Sequence, residues 1–295
     1  MAPDQSPLRD RLSVVLLTFN CAHRLSAVLD HLVGLDVPII AVDNASSDET
    51  RAVLAGYPQI EIVPLERNIG AAARNVGLDR AATPYIAFCD DDGWYEPAGL
   101  AIAADALDRH PKLALVSPRV LVGPEERLDP LSVVMAKSPL RDDHGIPGAV
   151  VLGYMAGACV VRVSAYVEVG GYDPIYFISG EEQTVALELA RRGWQLRYRP
   201  DVVARHYPSR ANAGRLRPYE LRNTLWTCWL YRSPLNAMWA TVGVLAERPK
   251  TRAWLRGIAM AISGLRWVLH NRRQLPAELD RALRTLDSQS GTPSR

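Results

Sequence analysis

The stretch Tyr85-Ile86-Ala87-Phe88-Cys89-Asp90-Asp91-Asp92 is the most informative part of the sequence, because it joins a short apolar strand to three consecutive carboxylates. Carboxylates this close together repel one another unless a cation neutralises them. A hard divalent ion such as Mg²⁺ or Mn²⁺ binds through one or two carboxylates together with substrate phosphates. An acidic turn ahead of a helix gives the same pattern, since acidic residues are common in the first turn of a helix. The stretch alone leaves both interpretations open.

Short apolar strands alternate with helices ahead of this stretch. The patterns predict strands at 12–17, 38–42 and 61–65 and helices at 24–35, from about 46, and from about 71 to 81. Such alternation is typical of a parallel sheet covered on both faces, which binds ligands at the carboxyl ends of its strands. Polar residues follow the predicted strands at those ends, namely Thr18, Asn20, Asp43, Asn44 and Asn68. The sequence therefore predicts a site at this edge of the sheet.

The alternation continues beyond the aspartates. Further predictions are a helix from 97 to about 110, a strand at 113–117, a helix at 183–192 and a strand at 194–198. Residues 123–150 are rich in proline, glycine and charge, which predicts a loop or lid. After Pro208, tryptophan, leucine and arginine recur at helical spacing through residue 287, which predicts a helical C-terminal extension.

The bulk composition is that of a globular protein. The chain has 295 residues, of which 48% are hydrophobic and 22% charged. Its four cysteines show no metal-binding or redox spacing, so we expect buried free thiols in a reducing compartment. Neither a signal peptide nor a membrane-spanning segment is evident. We therefore expect a cytoplasmic protein.

The charge of the chain is unevenly distributed. Residues 1–204 carry 18 basic and 27 acidic side chains, whereas residues 205–295 carry 16 basic and 5 acidic ones, a net charge of +11. A basic tail with Trp226, Trp229 and Trp239 in predicted amphipathic helices suits a peripheral contact at the inner face of a membrane. Homodimerisation through the tail is the main alternative, and packing against the catalytic part's own flank or plain solvation of basic helix faces also fits.

Seven segments carry a resemblance to a known family. They are SVVLLTFN at 13–20, VDNASSDET at 42–50, NIGAAARNVGL at 68–78, IAFCDDD at 86–92, GACVVRVSAYVEVGGYDP at 157–174, ISGEEQTVALELARRGW at 178–194, and His206. Their order resembles the family-2 glycosyltransferases, hexosyltransferases that move a sugar from a nucleotide-diphosphate donor. The resemblance covers about residues 12–210. It implies the GT-A type nucleotide-diphospho-sugar transferase fold, an α/β fold with a mostly parallel sheet flanked by helices.

The resemblance also implies a domain organisation and a function. Residues 1–210 correspond to the catalytic domain, with nucleotide-sugar binding in about 12–120 and the acceptor and catalytic part in about 121–210, and residues 211–295 form the basic helical region. The implied activity is inverting, metal-dependent transfer from a UDP- or dTDP-sugar to an acceptor hydroxyl, as in bacterial polysaccharide, lipid-linked or natural-product glycosylation.

The resemblance assigns the aspartates and His206 to a metal site. Asp90 and Asp92 match the DxD pair that holds Mn²⁺ or Mg²⁺, with Asp92 as the direct ligand. Asp91, in the middle, is placed to touch the ribose or sugar of the donor. His206 matches a histidine that supplies a further metal or phosphate contact, and its alternative is an ordinary histidine at a strand end.

The same resemblance assigns residues to the donor. Asp43 matches the aspartate that accepts a hydrogen bond from the nucleobase, which suits the imide N–H of uracil or thymine. Thr18, Asn20 and Asn68 complete the base and ribose pocket. The last two donor residues are Arg74, placed to reach a phosphate or the aspartates, and Arg210, a pyrophosphate candidate on a loop.

Two consecutive glutamates provide the candidate general base. Glu181 and Glu182 occupy the family's acidic motif at a helix start, where the second residue takes the acceptor proton. Glu182 is therefore the predicted base, although it departs from the usual aspartate by one methylene. Thr184 departs as well, since a second acidic residue is frequent at its position. A structural alternative is that both glutamates cap the helix.

Two other functions compete with this one. A dinucleotide-dependent oxidoreductase shares the alternation of strands and helices, but TFNCAHR stands where its glycine-rich GxGxxG turn belongs. A catalytically inactive nucleotide-sugar binding or scaffold protein on the same fold remains the alternative.

Overall fold

The computed structural model describes residues 6–142, 144–208, 213–247 and 251–289. Its strands are β1 Leu12–Thr18, β2 Ile39–Asp43, β3 Ile60–Pro64, β4 Tyr85–Asp90, β5 Gly93–Tyr95, β6 Leu113–Val122, β7 Arg127–Leu128, β8 Ala149–Val150, β9 Ala158–Arg162 and β10 Gln195–His206. Its helices are α1 Leu8–Arg11, α2 Ala22–Val33, α3 Thr50–Ala55, α4 Ala73–Arg80, α5 Pro97–Arg109, α6 Pro130–Ala136, α7 Val163–Glu168, α8 Glu181–Arg191, α9 Ala213–Tyr231, α10 Pro234–Glu247, α11 Arg252–Ser263, α12 Leu265–His270 and α13 Ala277–Gln289.

The strands form one mixed sheet in the order β3-β2-β1-β4-β9-β6-β10-β5. β1 pairs in parallel with β2 and β4, and β2 pairs in parallel with β3. β9 runs antiparallel between β4 and β6. The parallel half brings the carboxyl ends of β1, β2 and β4 to one edge. This arrangement confirms the predicted α/β fold with helices on both sides of the sheet.

The core lies on the two faces of the sheet. On one face α2 buries Leu25, Val28, Leu29 and Leu32, whose spacing places them on one side of the helix. α5 packs on the same face through Leu100 and Leu107. On the other face, α4, α7 and α8 cover the sheet. The four cysteines are free and buried, as predicted.

The segment 123–150 is more ordered than the predicted loop or lid. It contains α6, whose N-cap Asp129 accepts a hydrogen bond from the backbone N–H of Leu131 at 2.8 Å. Ser132 on this helix accepts from the Val120 N–H at 3.0 Å, which ties the helix to β6. The loop prediction was wrong here because seven helical residues are too few to show a periodicity among the surrounding prolines and glycines.

The boundaries of two further elements differ from the prediction. β10 continues past residue 198 to His206, because a register shift at Arg199/Val203 lets it stay paired with β6 beyond Pro200. The helix expected from about residue 46 begins at Thr50 instead. Asp48 accepts hydrogen bonds from both the backbone N–H and the hydroxyl of Thr50, which holds the preceding residues in a turn.

The C-terminal helices pack on the part of the chain that carries the sheet. Trp226 is buried in a cluster that includes Tyr176 and Leu187, and its indole N–H donates to the Ala261 carbonyl at 3.0 Å. Trp229, Trp254 and Trp267 are half-buried against the same cluster. Most of the tail's tryptophans therefore stabilise its attachment to the rest of the chain. No helix in the described ranges is both long and apolar enough to span a membrane.

Candidate functional site

The predicted edge gathers the ends of three strands. Thr18 at the end of β1 is in register with Asp43 at the end of β2, and Leu17 is in register with Asp90 at the end of β4. The side chains that sequence analysis selected on these strands therefore lie at one edge of the sheet, where parallel sheets bind ligands.

The three consecutive aspartates point to three different partners. Asp90 pairs with Arg74 of α4, and Asp91 pairs with Arg24 of α2. Asp92 lies with its Oδ1 3.5 Å from Nε2 of His206. The cationic partners relieve the mutual repulsion that the sequence predicted.

Arg74 is the buried cation of the site. Its side chain is almost fully enclosed beside Asp90 and Glu181, with its guanidinium 5.7 Å from the centre of the Tyr172 ring. Burial disfavours its charge, but Asp90 and the neighbouring acidic groups outweigh burial and raise the pKa of Arg74. The glycine at position 157 lets the chain approach this pair, since a Cβ there would collide with the Asp90 carboxylate. Arg74 is thus permanently charged.

Asp91 faces away from the other two aspartates. Its carboxylate receives the Arg24 guanidinium and the backbone N–H of Phe19, the latter at 3.4 Å. Burial raises the pKa of Asp91, while Arg24 opposes the increase. Asp91 therefore links the turn after β1 to the turn after β4, and its contact with the donor's ribose or sugar stays a prediction.

The Asp92–His206 pair places a carboxylate beside an imidazole. Burial opposes the imidazolium, but the hydrogen bond with Asp92 and the negative charges of the nearby aspartates together outweigh burial and raise the pKa of His206. The Nδ1 atom of His206 is buried without a hydrogen-bond partner. No group of three His, Cys, Asp or Glu side chains is assembled for a metal within the described parts of the chain. A carboxylate and an imidazole nitrogen fit an ion whose remaining ligands are phosphate oxygens.

The predicted nucleobase acceptor, Asp43, is fully buried. Its Oδ2 accepts from Nε of Arg51 at 2.5 Å, and both of its carboxylate oxygens lie 3.3 Å from the Ser46 N–H. Asn44, the next residue, ties the neighbouring loop by accepting from the Ile69 N–H at 2.9 Å. The Asp43 carboxylate is thus fixed at the end of β2 by Arg51 and the turn at Ser46.

The other residues predicted for the base and ribose pocket make hydrogen bonds within the loops at this edge of the sheet. Thr18 is buried, with its hydroxyl 3.4 Å from the Val42 carbonyl. Asn20 accepts from the Ser47 N–H at 2.8 Å, and Asn68 accepts from the Gly70 N–H at 2.8 Å. Arg210 lies outside the described residues.

Glu181 and Glu182 differ in their surroundings at the start of α8. Glu181 is buried, and its Oε2 has no hydrogen-bond partner. Burial and then the neighbouring Glu182 raise the pKa of Glu181 to about 8, against the attraction of Arg74. Glu182 is half-buried and accepts from the Gly180 N–H at 3.1 Å. Burial raises the pKa of Glu182 as well.

Several residues at this edge were not predicted from the sequence. Arg24 and Arg51 are the partners of Asp91 and Asp43, and both lie on helices whose surface arginines gave no separate signal. Phe19 is 44% exposed beside these groups, which is unusual for a phenylalanine. An aromatic residue directly after the first strand was the signal that could have identified it.

A family model agrees with this geometry. The model described as glycosyl transferase family 2 matches residues 13–170, more than half of the chain. The chain belongs to glycosyl transferase family 2. The match includes β2, the three aspartates and β9 and ends before α8, so Glu181, Glu182 and His206 lie outside it.

Two mycobacterial relatives of this family-2 chain are informative. The pre-mycofactocin glycosyltransferase of Mycobacterium tuberculosis is 30% identical over 214 residues, covering 69% of this chain and 44% of that relative. The N-acetylglucosaminyl-diphospho-decaprenol L-rhamnosyltransferase of the same organism is 25% identical over 236 residues, covering 68% and 77%. The chain therefore spans less than half of the first relative.

Solved structures share the fold of this family-2 chain. A structure of GalNAc-T7 with UDP, GalNAc and Mn²⁺ superposes with a TM-score of 0.66 at 16% identity, covering 96% of this chain and 58% of that chain. The mannosyltransferase PcManGT from Pyrobaculum calidifontis with GDP-Man and Mn²⁺ gives 0.57 at 18% identity, covering 100% and 79%. At these identities the likeness shows the GT-A fold.

Proposed function

We propose that the chain is a metal-dependent, inverting glycosyltransferase that moves a sugar from a UDP- or dTDP-sugar to an acceptor hydroxyl. In this proposal residues 1–210 form the catalytic domain. Its part from about 12 to 120 binds the donor, its part from about 121 to 210 binds the acceptor and catalyses, and residues 211–295 form the helical region. Membership of the family supports the reaction class.

The observation that carries the proposal is the Asp92–His206 pair beside the Asp90–Arg74 pair. The first pair offers ligands for a cation, and the second adds a buried positive charge at the same edge of the sheet. A nucleoside diphosphate needs such positive charge where its own negative charge grows during the reaction. The mixture of acidic ligands and a fixed arginine suits a diphosphate better than it suits a neutral ligand.

Asp92, with Asp90 and His206, would hold Mn²⁺ or Mg²⁺. When bound, the ion supplies Lewis-acid stabilisation of the departing diphosphate. Arg74 contributes a second, fixed charge, and Arg210 is proposed to add a further contact. Asp43 is proposed to accept the imide N–H of uracil or thymine, and the exposed ring of Phe19 offers a face on which the base can stack.

Glu182 is proposed to act as the general base, and the buried Glu181 is proposed to position it through the first turn of α8. The acceptor O–H gives its proton to the Glu182 carboxylate while its oxygen forms a bond to the anomeric carbon. The anomeric C–O bond to the diphosphate breaks, and its electron pair leaves with the nucleoside diphosphate. A single displacement of this kind inverts the anomeric configuration and requires no covalent intermediate.

Thermal unfolding with UDP tests the donor and metal assignments together. Binding to the folded state raises the midpoint, so UDP with Mn²⁺ should stabilise the chain more than UDP in EDTA. Asp92→Asn should remove the Mn²⁺-dependent part of this shift. Asp79→Asn, an exposed change on α4, should leave it intact. An equal shift in EDTA, or an unchanged shift for Asp92→Asn, would contradict the metal assignment.

The inactive scaffold remains the alternative to this proposal. Such a protein would bind UDP but would not break the anomeric bond of the donor. Slow release of UDP from UDP-sugars with Mn²⁺, with water as the acceptor, separates the two, because only an enzyme produces it. The adjacent carboxyl groups of the buried Glu181 and the half-buried Glu182, with their raised pKa values, favour the enzyme.

An exposed apolar stripe on α10 supports a peripheral membrane contact. Leu235, Met238, Trp239 and Val242 share one face of that helix and are each about half exposed or more. In sequence, Arg248 and Lys250 follow the helix, and Arg252 and Arg256 are exposed at the start of α11. Apolar side chains beside basic ones suit an anionic bilayer surface. We propose that this stripe lies on the inner face of the cytoplasmic membrane, with homodimerisation as the competing outcome.

A further inference from the structure

A cleft of about 440 Å³ opens beside Glu182, between the catalytic part and the C-terminal helices. One face of α9 lines it along its length, through Glu220, Thr224, Thr227, Cys228 and Arg232. These residues lie at helical spacing and span twelve positions, which corresponds to about 18 Å along the helix axis. The cleft therefore extends along α9 and includes the proposed general base, Glu182, in its lining.

The two ends of the cleft differ in chemistry. Glu182 lies at the end formed by Glu220, whose negative charge contributes to the raised pKa of Glu182. At the other end, Arg232 binds both carboxylate oxygens of Asp287 at 2.6 and 3.0 Å, which joins α9 to α13. An acceptor hydroxyl at the first end meets the base, and an acidic acceptor group there is repelled by two carboxylates.

The walls along the middle of the cleft are apolar. α6 contributes Leu131, Val134 and Met135, and α13 contributes Leu283 and Leu286. Val134 is 44% exposed, although it belongs to a helix that otherwise packs on the sheet. An aliphatic chain laid along these residues would remove apolar surface from water on both sides of the cleft.

We propose that this cleft binds an amphiphilic acceptor, with its hydroxyl at Glu182 and an aliphatic chain between α6 and α13. The inference rests on the proposed function, since it takes Glu182 as the base that receives the hydroxyl proton. It adds the chemical class of the acceptor: an uncharged hydroxyl group, such as that of a sugar, attached to a long apolar chain. The diphosphate of the donor binds, in the proposed function, at Asp90 and Asp92, which do not line the cleft.

Two glucosides with the same sugar and different chains test the inference. Binding of n-octyl β-D-glucopyranoside, below its micelle concentration, is compared by calorimetry with binding of methyl β-D-glucopyranoside. The octyl compound should bind at least about tenfold more tightly, because its methylenes leave water for the apolar walls. Val134→Gln should weaken octyl binding by about tenfold, since it places an amide in the apolar wall. Leu131→Gln, at a half-buried position that also lines the cleft, is the second cleft variant and tests the same apolar wall.

Two control variants locate the bound chain. Val167→Gln changes a residue on α7 that is 57% exposed and does not line the cleft, and Trp239→Gln changes the stripe on α10. Both should bind the octyl compound as the parent does. Equal affinity for the two glucosides, unchanged octyl binding in both cleft variants, or its loss in Trp239→Gln would overturn the inference. UDP stabilisation with Mn²⁺, measured on the same samples, tests the proposed function separately, because the cleft variants leave the donor edge unchanged.

Discussion

The Arg24 side chain on α2 binds both the carboxylate and the backbone carbonyl of Asp91, the middle one of three consecutive aspartates. Its guanidinium pairs with the carboxylate, and its Nε donates to the Asp91 carbonyl at 3.2 Å. The same carboxylate accepts the N–H of Phe19. This pair fixes the turn after β4 so that Asp90 and Asp92 point to other partners. We therefore expect Asp91 to have a positioning role at this edge of the sheet.

Arg24→Met should lower the free energy of unfolding by about 1–3 kcal/mol, because it leaves the partly buried Asp91 carboxylate without its charged partner. The loss should shrink when Asp91→Asn is already present, since the amide no longer carries a charge. Denaturant unfolding of the two single variants and the double variant measures this coupling.

The matched control is Arg192→Met, which breaks an exposed pair with Glu168 at 3.3 Å. It should change the free energy of unfolding by less than about 0.5 kcal/mol. If Arg24→Met costs the same with and without Asp91→Asn, the two residues are not coupled and the positioning role is wrong.

Glu181→Gln should stabilise the protein increasingly as the pH rises. The pKa of Glu181 is about 8 in the folded chain against an ordinary 4.5, so the folded state retains a proton that the unfolded chain loses. Below pH 4.5 the raised pKa does not reduce the free energy of unfolding, because both states are protonated. Between pH 4.5 and about pH 8 it lowers the free energy of unfolding progressively. Glutamine stays neutral and escapes this loss.

Melting curves of the parent and Glu181→Gln between pH 5 and pH 9 check this prediction. The difference in midpoint should widen with pH and level off above about pH 8. Glu61→Gln, at an exposed position on β3, serves as the control and should show a constant difference. A midpoint difference for Glu181→Gln that is independent of pH would mean that its carboxyl group titrates normally.

Asp43 should give the site a preference for uracil or thymine over guanine. Asp43→Ala should weaken UDP binding by about 1–3 kcal/mol, because the imide N–H loses its acceptor. Arg51→Met is the control for the ion pair, since it removes the partner of Asp43 and retains the carboxylate. Calorimetric titration with UDP, dTDP and GDP measures the preference. Tighter binding of GDP than of UDP and dTDP by the parent would show that Asp43 does not read a pyrimidine.

The stripe on α10 should bind anionic vesicles at low salt and release them at high salt. Sedimentation with phosphatidylglycerol vesicles, compared with phosphatidylcholine vesicles, measures this, since basic side chains are attracted to anionic head groups and salt screens the attraction. A combined Met238→Ser and Trp239→Ser variant should lose the binding. Val167→Ser, at an equally exposed apolar residue on α7, should retain it.

Two results would decide against the membrane contact. The first is the absence of sedimentation with anionic vesicles even at low salt. The second is a dimer in solution that the Met238→Ser and Trp239→Ser variant dissociates, because the stripe would then be covered by a second copy of the chain.

The sheet and its ligand edge were predictable because they depend on local patterns. Apolar runs such as Val14–Leu17 and the polar residues that follow them identify strands and their carboxyl ends without tertiary information. The resemblance then ordered the remaining motifs. The antiparallel insertion of β9 between β4 and β6 was beyond these patterns, because an apolar segment does not encode the direction in which it pairs.

The partners of the site residues were not predictable in the same way. Arg24 and Arg51 are ordinary helix-surface arginines in the sequence, and only the fold brings them to Asp91 and Asp43. The tail shows the same limit. Its tryptophans all fitted an amphipathic pattern, yet Trp226 is buried and Trp239 is exposed. The difference arises because α9 packs on the rest of the chain, whereas one face of α10 stays exposed.

Release of UDP from a UDP-sugar by the parent and by Glu182→Gln, with donor binding measured on the same samples, tests the central claim most directly. We expect the parent to release UDP in the presence of Mn²⁺. Glu182→Gln should bind the donor as tightly as the parent but turn over about 10²–10⁴-fold more slowly, which is the usual contribution of a positioned general base. An active Glu182→Gln beside an inactive Glu181→Gln, or donor binding without any turnover by the parent, would contradict it.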